Sequence, residues 1–412
     1  MPAQRRMGQL QGQQQSQTRC QRVRCYLRNN TYIVPLVPML IILALCFRDP
    51  RPSNFFYHAV FLSYPEGPRE EGGPMMYGKG LHDITFVAFY TIVMSFSREI
   101  LMGRYLRPFA VYCGMKGRGK MLRFVEQVYS VIYFSIFGPF GLWVMSRSDL
   151  WYFNTTAMFE GFPHRSHTWE FKAYYLLEAA YWAQQGLVLL LQLEKPRKDF
   201  KELVMHHIIT LSLIALSYRF HFTHMGLAVY ITHDISDFFL ATSKTFNYLD
   251  APIIGPYFAL FACVWVYMRH YLNLKILWAV LTEFRTVGPF ELNWETQQYK
   301  CWISQYITFG LLASLQSLNM FWFYLIVRIA KNYVFSNVRK DERSSDEESA
   351  AEEEEEELEK ERAEQRMENE RLLDEVQPGV AETTGADNRV PNGNGNGYTN
   401  GNGVTKRTVK EE

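Results

Sequence analysis

Eight apolar stretches occupy the middle of this 412-residue chain, and their length constrains the fold more than any other feature of the sequence. Each is close to the ~20 residues that an α-helix needs to cross a bilayer. The sequence therefore predicts an all-α polytopic membrane protein with about eight transmembrane helices. The first stretch is short and charged residues interrupt the seventh, so seven or nine crossings are alternatives. The stretches are Tyr32 to Phe47, Ile84 to Met102, Phe124 to Met145, Tyr174 to Leu193, Leu203 to Phe220, Met225 to Ala241, Ile253 to about Tyr271, and Ile303 to Val327.

The two ends of the chain are polar, and they lower the mean hydropathy to −0.17. Residues 1–31 form a Gln- and Arg-rich segment, whereas residues 336–412 form an acidic tail with six consecutive glutamates at 352–357. The tail cannot bury enough apolar surface to offset the entropy of ordering, so it is predicted to be disordered. An even number of spans places it in the cytosol. Ser344 and Ser345 precede acidic residues and are candidate phosphorylation sites.

Lysine and arginine in the short connections predict the orientation, because cytosolic loops are rich in both. The segment before the first stretch and the connection between the second and third stretches are basic and contain no acidic residue. Both chain ends are therefore expected in the cytosol. The loop with the sequon Asn154-Thr155-Thr156 is expected in the lumen, where Asn154 is a candidate glycosylation site. The alternative, a mitochondrial presequence, is disfavoured because residues 1–31 show no apolar helical face.

Two adjacent histidines, His206 and His207, lie within the fifth stretch. An ionisable side chain at membrane depth costs a few kcal/mol or more, so it usually marks a functional site. The short turn around Phe222 makes the fifth and sixth stretches an antiparallel helical hairpin. His207 lies fifteen residues before Phe222 and Asp237 fifteen after it, so at 1.5 Å per residue both lie roughly 22 Å from the turn.

The sixth stretch carries His233, Asp234 and Asp237 at spacings that place them on one helical face, whereas Ser236 points elsewhere. A carboxylate beside an imidazole fixes its tautomer and stabilises its cation, as a general base or nucleophile requires. We therefore expect Asp237 to lie opposite His207. A single histidine could serve only as an interhelical hydrogen bond, but a cluster is typical of a functional site. The candidate catalytic residues are His206, His207, Asp234 and Asp237.

A metal-dependent oxygenase is an alternative, because the segment from His221 to His224 (HFTH) looks like one histidine box of membrane hydroxylases. That box lies at the opposite end of the hairpin from His206, and metal–ligand bonds of about 2 Å cannot join the two places. The six cysteines also lack metal-ligand or disulfide-framework spacing. We expect no metal and no other cofactor.

The run from Lys195 to Leu249 resembles the signature of the ceramide synthases, the sphingosine N-acyltransferase branch of the TLC-domain family. The resemblance rests on an adjacent histidine pair and a DxSD motif in the right order and spacing, and it is strongest to the fungal type. His233 is not part of that signature. The matching residues are Asp199, His206, His207, Thr210, Ser217, Tyr218, Gly226, Asp234, Ser236, Asp237 and Lys244.

The resemblance implies a TLC catalytic domain at residues 117–331, preceded at 32–116 by two membrane spans and a lumenal loop. Six spans of the domain would enclose a tunnel for an acyl chain. The implied activity, in the endoplasmic reticulum membrane, transfers the acyl group of a fatty acyl-CoA, of very long chain, to the amine of a sphingoid base. The implied partners are these substrates, membrane lipids and a small single-span subunit, in a homo- or hetero-oligomer without nucleic acid.

The basic run before the fifth stretch lies on the predicted cytosolic side, where it can bind CoA phosphates. The same run is also what a cytosolic connection requires, and the sequence does not choose between the two interpretations. Two other functions stay open: a transporter that uses the His and Asp cluster as a proton relay, and a non-catalytic lipid sensor. The candidate substrate contacts are Lys195, Arg197, Lys198, Lys201, Ser236 and Tyr218.

Overall fold

The computed structural model describes residues 30–68, 71–115, 117–194 and 199–336 of the chain. Several sequence predictions fall outside the described residues. They are the segment 1–29, the acidic tail 337–412 with Ser344 and Ser345, and the basic residues Lys195, Arg197 and Lys198.

Each of the eight predicted apolar stretches is helical in the structure. Several helices continue into polar residues, as where the sixth predicted stretch extends from Ala241 to Tyr248. The helices of the described residues are α1 (Ile33–Arg48), α2 (Tyr57–Val60), α3 (His82–Ile100), α4 (Arg107–Tyr112), α5 (Arg118–Ser146), α6 (Trp169–Leu190), α7 (Phe200–Arg219), α8 (Thr223–Tyr248), α9 (Ile254–Trp265), α10 (Asn273–Thr282) and α11 (Trp302–Ser336), with π-helical segments at Leu101–Leu106 and Val266–Leu272 and a 3₁₀ turn at Thr156–Met158.

In the part of the chain that the structure describes, four helical stretches are long and apolar enough to cross a membrane, and α1 is a shorter apolar helix. The chain is therefore a multi-pass α-helical membrane protein, as predicted. Helices α6 and α8 contain buried polar residues such as Glu178 and Asp234, which lower their hydropathy. The number of eight crossings stays a prediction. The four stretches are His82–Tyr112, Arg118–Ser146, Phe200–Arg219 and Trp302–Asn332.

Connections at one end of the helices form a small antiparallel sheet. Strand β1 (Pro65–Pro68) pairs with β2 (Met75–Tyr77), and β2 pairs with β3 (His167–Thr168). Strand β3 leads directly into α6. The sheet therefore joins the connection before α3 to the connection between α5 and α6, at the end that the sequence predicts to be lumenal.

Lys172 of α6 strengthens this junction. Its side chain is fully buried, and Nζ lies 2.7 Å from Oδ1 of Asp83 on α3. The same ammonium donates hydrogen bonds to the carbonyl oxygens of Ser63, at 2.9 Å, and Gly78, at 2.6 Å. Because an unpaired buried ammonium is costly, these partners hold α6 against the segment that precedes α3.

Helices α5 and α8 approach closely at Gly141. A Cβ atom at this position would lie 2.6 Å from the hydroxyl oxygen of Tyr174 and 2.9 Å from Cγ1 of Ile231. Glycine therefore leaves the space through which Tyr174 reaches from α6 toward α8. Its hydroxyl meets Asp234 there.

The seventh predicted stretch is divided into α9, the π-helical segment Val266–Leu272 and α10. The segment holds Arg269 and His270, which the sequence shows as an interruption of the apolar pattern. Both side chains are buried, with 2% and 9% of their surface exposed. Such π-helical turns are frequent at functional sites. Here the turn places a cation among the helices.

Candidate active site

An apolar cavity of about 240 Å³ lies between α6, α7, α8 and α11 and reaches the loop that precedes α11. Its α7 wall extends from His206 to Phe220, roughly 21 Å along the helix axis. His206 and His233 mark one end, and Tyr299 marks the other. The resemblance led us to expect six enclosing spans, whereas four helices contribute to the described wall of this cavity.

His206 is the member of the histidine pair that faces the cavity. It is 6% exposed, and its Nδ1 is buried without a hydrogen-bond partner among the described residues. His207 is more exposed, and its Nδ1 lies 2.9 Å from the carbonyl oxygen of Leu203. A free imidazole nitrogen at an apolar cavity can accept a proton or attack a carbonyl carbon. The geometry therefore places His206, ahead of His207, next to any bound ligand.

Aromatic rings fix the surroundings of His206. The ring centroids of Trp182 and Trp322 lie 5.5 Å and 5.3 Å from that of His206. The indole Nε1 of Trp322 donates a hydrogen bond of 3.2 Å to Oδ2 of Asp199. Asp199, at the start of α7, thus orients a ring that packs against the candidate catalytic histidine.

Asp234 is completely buried, and its Oδ2 accepts a hydrogen bond of 2.8 Å from the hydroxyl of Tyr174. A second buried carboxyl group, Glu178, accepts a bond of 2.9 Å from the hydroxyl of Tyr133. Asp234 does not lie on the described cavity wall. It belongs instead to a polar layer between α5, α6 and α8, behind the cavity.

Asp237 binds Arg269 of the π-helical segment. The carboxylate Oδ1 lies 2.6 Å from Nη2, while Nε of the same guanidinium donates to the hydroxyl of Ser236 at 2.6 Å. Arg269 therefore takes the position opposite Asp237 that the sequence analysis assigns to His207. The reason is geometric. Equal distance from the hairpin turn places two residues at the same depth, but it does not determine the direction in which each side chain points from its helix.

Comparison with known proteins decides the family. The model of the TLC domain matches residues 123–328, about half of the chain, and this range contains the whole described cavity wall. The chain belongs to the TLC-domain family.

Several of its relatives are fungal proteins. The sphingosine N-acyltransferase-like protein FUM17 of Gibberella moniliformis is 52% identical over 319 residues, which are 76% of this chain and 82% of that protein. The sphingosine N-acyltransferase lac1 of Schizosaccharomyces pombe is 48% identical over 77% of this chain and 81% of its own length. The ceramide synthase LAG1 of Saccharomyces cerevisiae is 50% identical over 70% and 73% of the two chains. The chain is thus a TLC-domain protein of the fungal sphingosine N-acyltransferase type.

Three of the candidate substrate-binding residues lie among the described residues of the TLC domain, and each has different surroundings. Lys201 is exposed at the start of α7. Ser236 is occupied by Arg269, and the hydroxyl of Tyr218 donates to Oδ2 of Asp83 at 2.8 Å. Neither Ser236 nor Tyr218 lies on the described cavity wall. Ser236 therefore contacts the π-helical segment within the TLC domain, whereas Tyr218 connects the domain to Asp83 of α3.

The HFTH histidines of the TLC domain lie at the end predicted to be lumenal, away from His206. Nδ1 of His221 lies 3.4 Å from Nζ of Lys79, and its ring stacks on Tyr299 with 14° between the planes. The ring of His224 stacks on His164, with 3.5 Å between centroids. Burial, reinforced by the positive charge of Lys79, lowers the pKa of His221 to about 3. This ring is therefore neutral at physiological pH.

Asn154 is exposed in the loop between α5 and α6, where its Nδ2 donates to the carbonyl oxygen of Asp149 at 3.3 Å. Thr156 of the same sequon donates to Glu283 at 3.0 Å. The side chain is accessible, and its glycosylation stays a prediction.

Sequence reasoning did not identify Arg269 and Asn319 as members of the site. Asn319 Oδ1 accepts a hydrogen bond of 3.0 Å from Arg269, and its Nδ2 lies 3.5 Å from Nε2 of His233. One signal was available: a cation in an apolar stretch requires an acidic partner at the same depth, and Asp237 is such an acid. No comparable signal marks Asn319, because it is one of several amides in a 35-residue helix and is unremarkable until its neighbours are known.

Proposed function

We propose that this chain is a ceramide synthase, which transfers the acyl group of a fatty acyl-CoA to the amino group of a sphingoid base and releases CoA. The observation that carries the proposal is the buried imidazole of His206 on the wall of an apolar cavity. The proposal is supported by 48–52% identity to proteins named sphingosine N-acyltransferase. An apolar cavity suits an acyl chain, and an imidazole at its end suits acyl transfer.

The acyl chain occupies the cavity with its thioester at His206. Each methylene group removed from water contributes ~0.8 kcal/mol, so a wall roughly 21 Å long favours long chains. The far end of the wall is formed by residues of the loop before α11, including Trp294 and Tyr299. A chain that fills the cavity therefore extends from His206 toward the predicted lumenal side.

The reaction must remove protons from the attacking nitrogen. A sphingoid amine is an ammonium ion at neutral pH and has no lone pair until it loses a proton. In direct transfer, the amine forms the C–N bond as the C–S bond breaks, and its nitrogen loses a second proton to the leaving thiolate. When an acyl-imidazole forms first, CoA leaves with the imidazole proton; the amine then forms the C–N bond as the bond to the imidazole breaks, and its second proton goes to the imidazole. In both cases the products are ceramide, neutral CoA thiol and one proton.

Two routes assign a role to His206. In the first, His206 is a general base and the amine attacks the thioester directly. In the second, His206 attacks first, CoA leaves, and the amine resolves an acyl-imidazole. We favour the second route, because a water-poor cavity slows hydrolysis of such an intermediate. His207, Asp234 and Asp237 complete the candidate catalytic set by orienting the site around His206.

The proposed location is the endoplasmic reticulum membrane, with both chain ends in the cytosol and CoA bound at the cytosolic face near Lys201. No metal or redox group takes part in either route. A small single-span subunit and an oligomeric assembly are further proposals taken from the resemblance to fungal ceramide synthases. Glycosylation of Asn154 tests the orientation: a glycan-dependent mass that is absent from Asn154→Gln supports a lumenal loop.

The deciding experiment incubates purified full-length protein with acyl-CoA, alone and then with a sphingoid base. Ceramide and CoA in equal amounts support the proposed function. CoA release before the amine is added, up to one equivalent, together with an acyl adduct seen by intact mass and absent from His206→Ala, supports the covalent route. Unchanged mass followed by full ceramide synthesis leaves direct transfer. A properly folded protein that forms no ceramide with any acyl-CoA contradicts the proposed function.

A further inference from the structure

His233 lies at the same end of the cavity as His206, although it is not part of the family signature. Both histidines are on the wall, and His233 is 5% exposed. They come from different helices, α8 and α7, so they approach a bound ligand from different directions. The cavity therefore offers two imidazoles to a reaction that must handle both an acyl carbon and an ammonium nitrogen.

A directed chain of hydrogen bonds determines which nitrogen of His233 carries hydrogen. The guanidinium of Arg269 has only donors, and its Nη1 lies 3.0 Å from Oδ1 of Asn319. The amide of Asn319 is thereby oriented with its NH₂ group toward His233, at 3.5 Å from Nε2. Because that NH₂ group can only donate, Nε2 must accept.

The contacts of the other ring nitrogen, Nδ1, lead to the same assignment of the hydrogen. Nδ1 of His233 lies 2.8 Å from the carbonyl oxygen of Val229, which can only accept. The hydroxyl of Thr232 also lies 3.1 Å from Nδ1, but it donates its own hydrogen to Val229. His233 is thus held as the neutral tautomer with hydrogen on Nδ1. Among the described residues, the lone pair on Nε2 is engaged only by the long contact to Asn319.

We propose that His233 is the base that removes the proton from the substrate amine, an inference that rests on the proposed function. Asn319 and Arg269 are its positioning residues. Nε2 of His233 takes one proton from the ammonium group, which gives the amine the lone pair that forms the C–N bond. The second proton goes to the leaving group, and His233 returns its proton to water. With His233 as the base, His206 gives up the general-base role of the first route and is free to attack the acyl carbon in the second.

The charged and titratable groups around His233 come from several elements. Arg269 of the π-helical segment, which is paired with Asp237, faces it, and His206 faces it from α7. Tyr175 of α6 and Tyr230 of α8 share the cavity wall, while Asp234 lies behind it. Helix α11 contributes the uncharged amide of Asn319. A carboxylate at position 319 would therefore change the charge that touches Nε2 and leave the other groups in place.

The test is Asn319→Asp. A carboxylate can only accept, so it bonds Nε2 only when that nitrogen is protonated, and the imidazolium form is stabilised. Arg269 remains beside the new carboxylate and compensates its charge. We expect the ascending limb of the kcat/KM–pH profile to shift by at least one unit toward higher pH. At a pH below the limb, this shift is a tenfold loss of kcat/KM. The amine substrate titrates equally in both proteins, so it does not contribute to the difference.

Helix α11 offers a matched control, Gln316→Glu. Gln316 lies one helical turn before Asn319, and its amide contacts Nδ1 of His270 at 2.9 Å. Gln316 and His270 are buried and lie off the described cavity wall. This substitution makes the same chemical change beside a histidine with no proposed role. We expect its pH profile to match that of the unchanged chain.

A second variant keeps the proposal falsifiable if Asn319→Asp does not fold. His233→Gln is expected to lower kcat at least about 100-fold, as loss of a general base does, with little change in KM for acyl-CoA. An active unchanged chain whose Asn319→Asp variant keeps its profile, or whose His233→Gln variant keeps more than half of kcat, overturns the role of His233. Absence of ceramide synthesis in the unchanged chain instead refutes the proposed function, so the two failures are distinguishable.

Discussion

Asp237 and Arg269 form a buried ion pair in which the carboxylate Oδ1 lies 2.6 Å from the guanidinium Nη2. The side chain of Arg269 is 3% exposed and that of Asp237 is 19% exposed. The indole ring of Trp265 lies 4.3 Å from the guanidinium carbon and covers it further. The pair balances a charge that the bilayer would otherwise exclude, and it connects α8 to the π-helical segment.

Asp237→Asn is expected to destabilise the protein and remove most activity. The amide keeps the shape of the side chain but leaves Arg269 as an uncompensated buried cation, which costs about 3–5 kcal/mol. Thermal unfolding in detergent measures the loss. The control is Asp237→Asn with Arg269→Met, which removes both charges and should regain stability without activity. A single variant as stable as the unchanged protein would contradict this account of the pair.

His206→Ala and His207→Ala are expected to differ. Loss of His206 removes the imidazole on the cavity wall and should reduce ceramide synthesis by 100-fold or more. Loss of His207 removes a ring at the edge of the site and should cost less. Initial rates at equal amounts of folded protein measure the difference. A greater loss in His207→Ala would show that the assignment of His206 to the reaction is wrong.

Leu213→Trp should shorten the acyl chain that the protein accepts. Leu213 lies on the cavity wall, seven residues after His206 on α7, roughly 10 Å away along the helix. An indole at this point obstructs the cavity beyond the reacting carbon. Competition between short and long acyl-CoA measures the change. The matched control is Ile208→Trp on the same helix, because Ile208 is 56% exposed and lies off the wall. Equal chain preference in both variants would argue against the cavity as the acyl site.

His221→Asn should reduce the loss of stability on acidification. The pKa of His221 is about 3 in the folded protein, whereas that of an unfolded histidine is about 6.5. The unfolded chain thus binds more protons below about pH 6.5, and stability falls as pH is lowered from there toward 3. Asparagine removes this titration, can still accept from Lys79, and tolerates the left-handed φ of 68°.

Unfolding temperatures at pH 7 and pH 5 measure this effect. Burial also lowers the pKa values of His58 and His167. These residues retain their part of the pH dependence, so the slope should decrease without vanishing. An unchanged slope in the variant would exclude His221 as a contributor.

The sequence predicts the helical architecture because apolar stretches near bilayer length have few alternatives. It also marks His206 as a candidate, because an imidazole in an apolar run is conspicuous. It does not predict the partner of Asp237, because helical rotation depends on packing among α6, α8 and the π-helical segment. The role of Asn319 was equally hidden, since its significance comes from Arg269 on one side and His233 on the other.

Lys172 lies inside the range that matches the TLC domain, whereas Ser63, Gly78 and Asp83, which receive its ammonium group, precede that range. Strand β3 is likewise inside, and its partner β2 is outside. A shortened chain that begins at residue 117 would keep every residue of the family match. It would nevertheless leave the buried ammonium of Lys172 and the strand β3 without their partners. The segment that matches the family is therefore smaller than the segment that these contacts hold together.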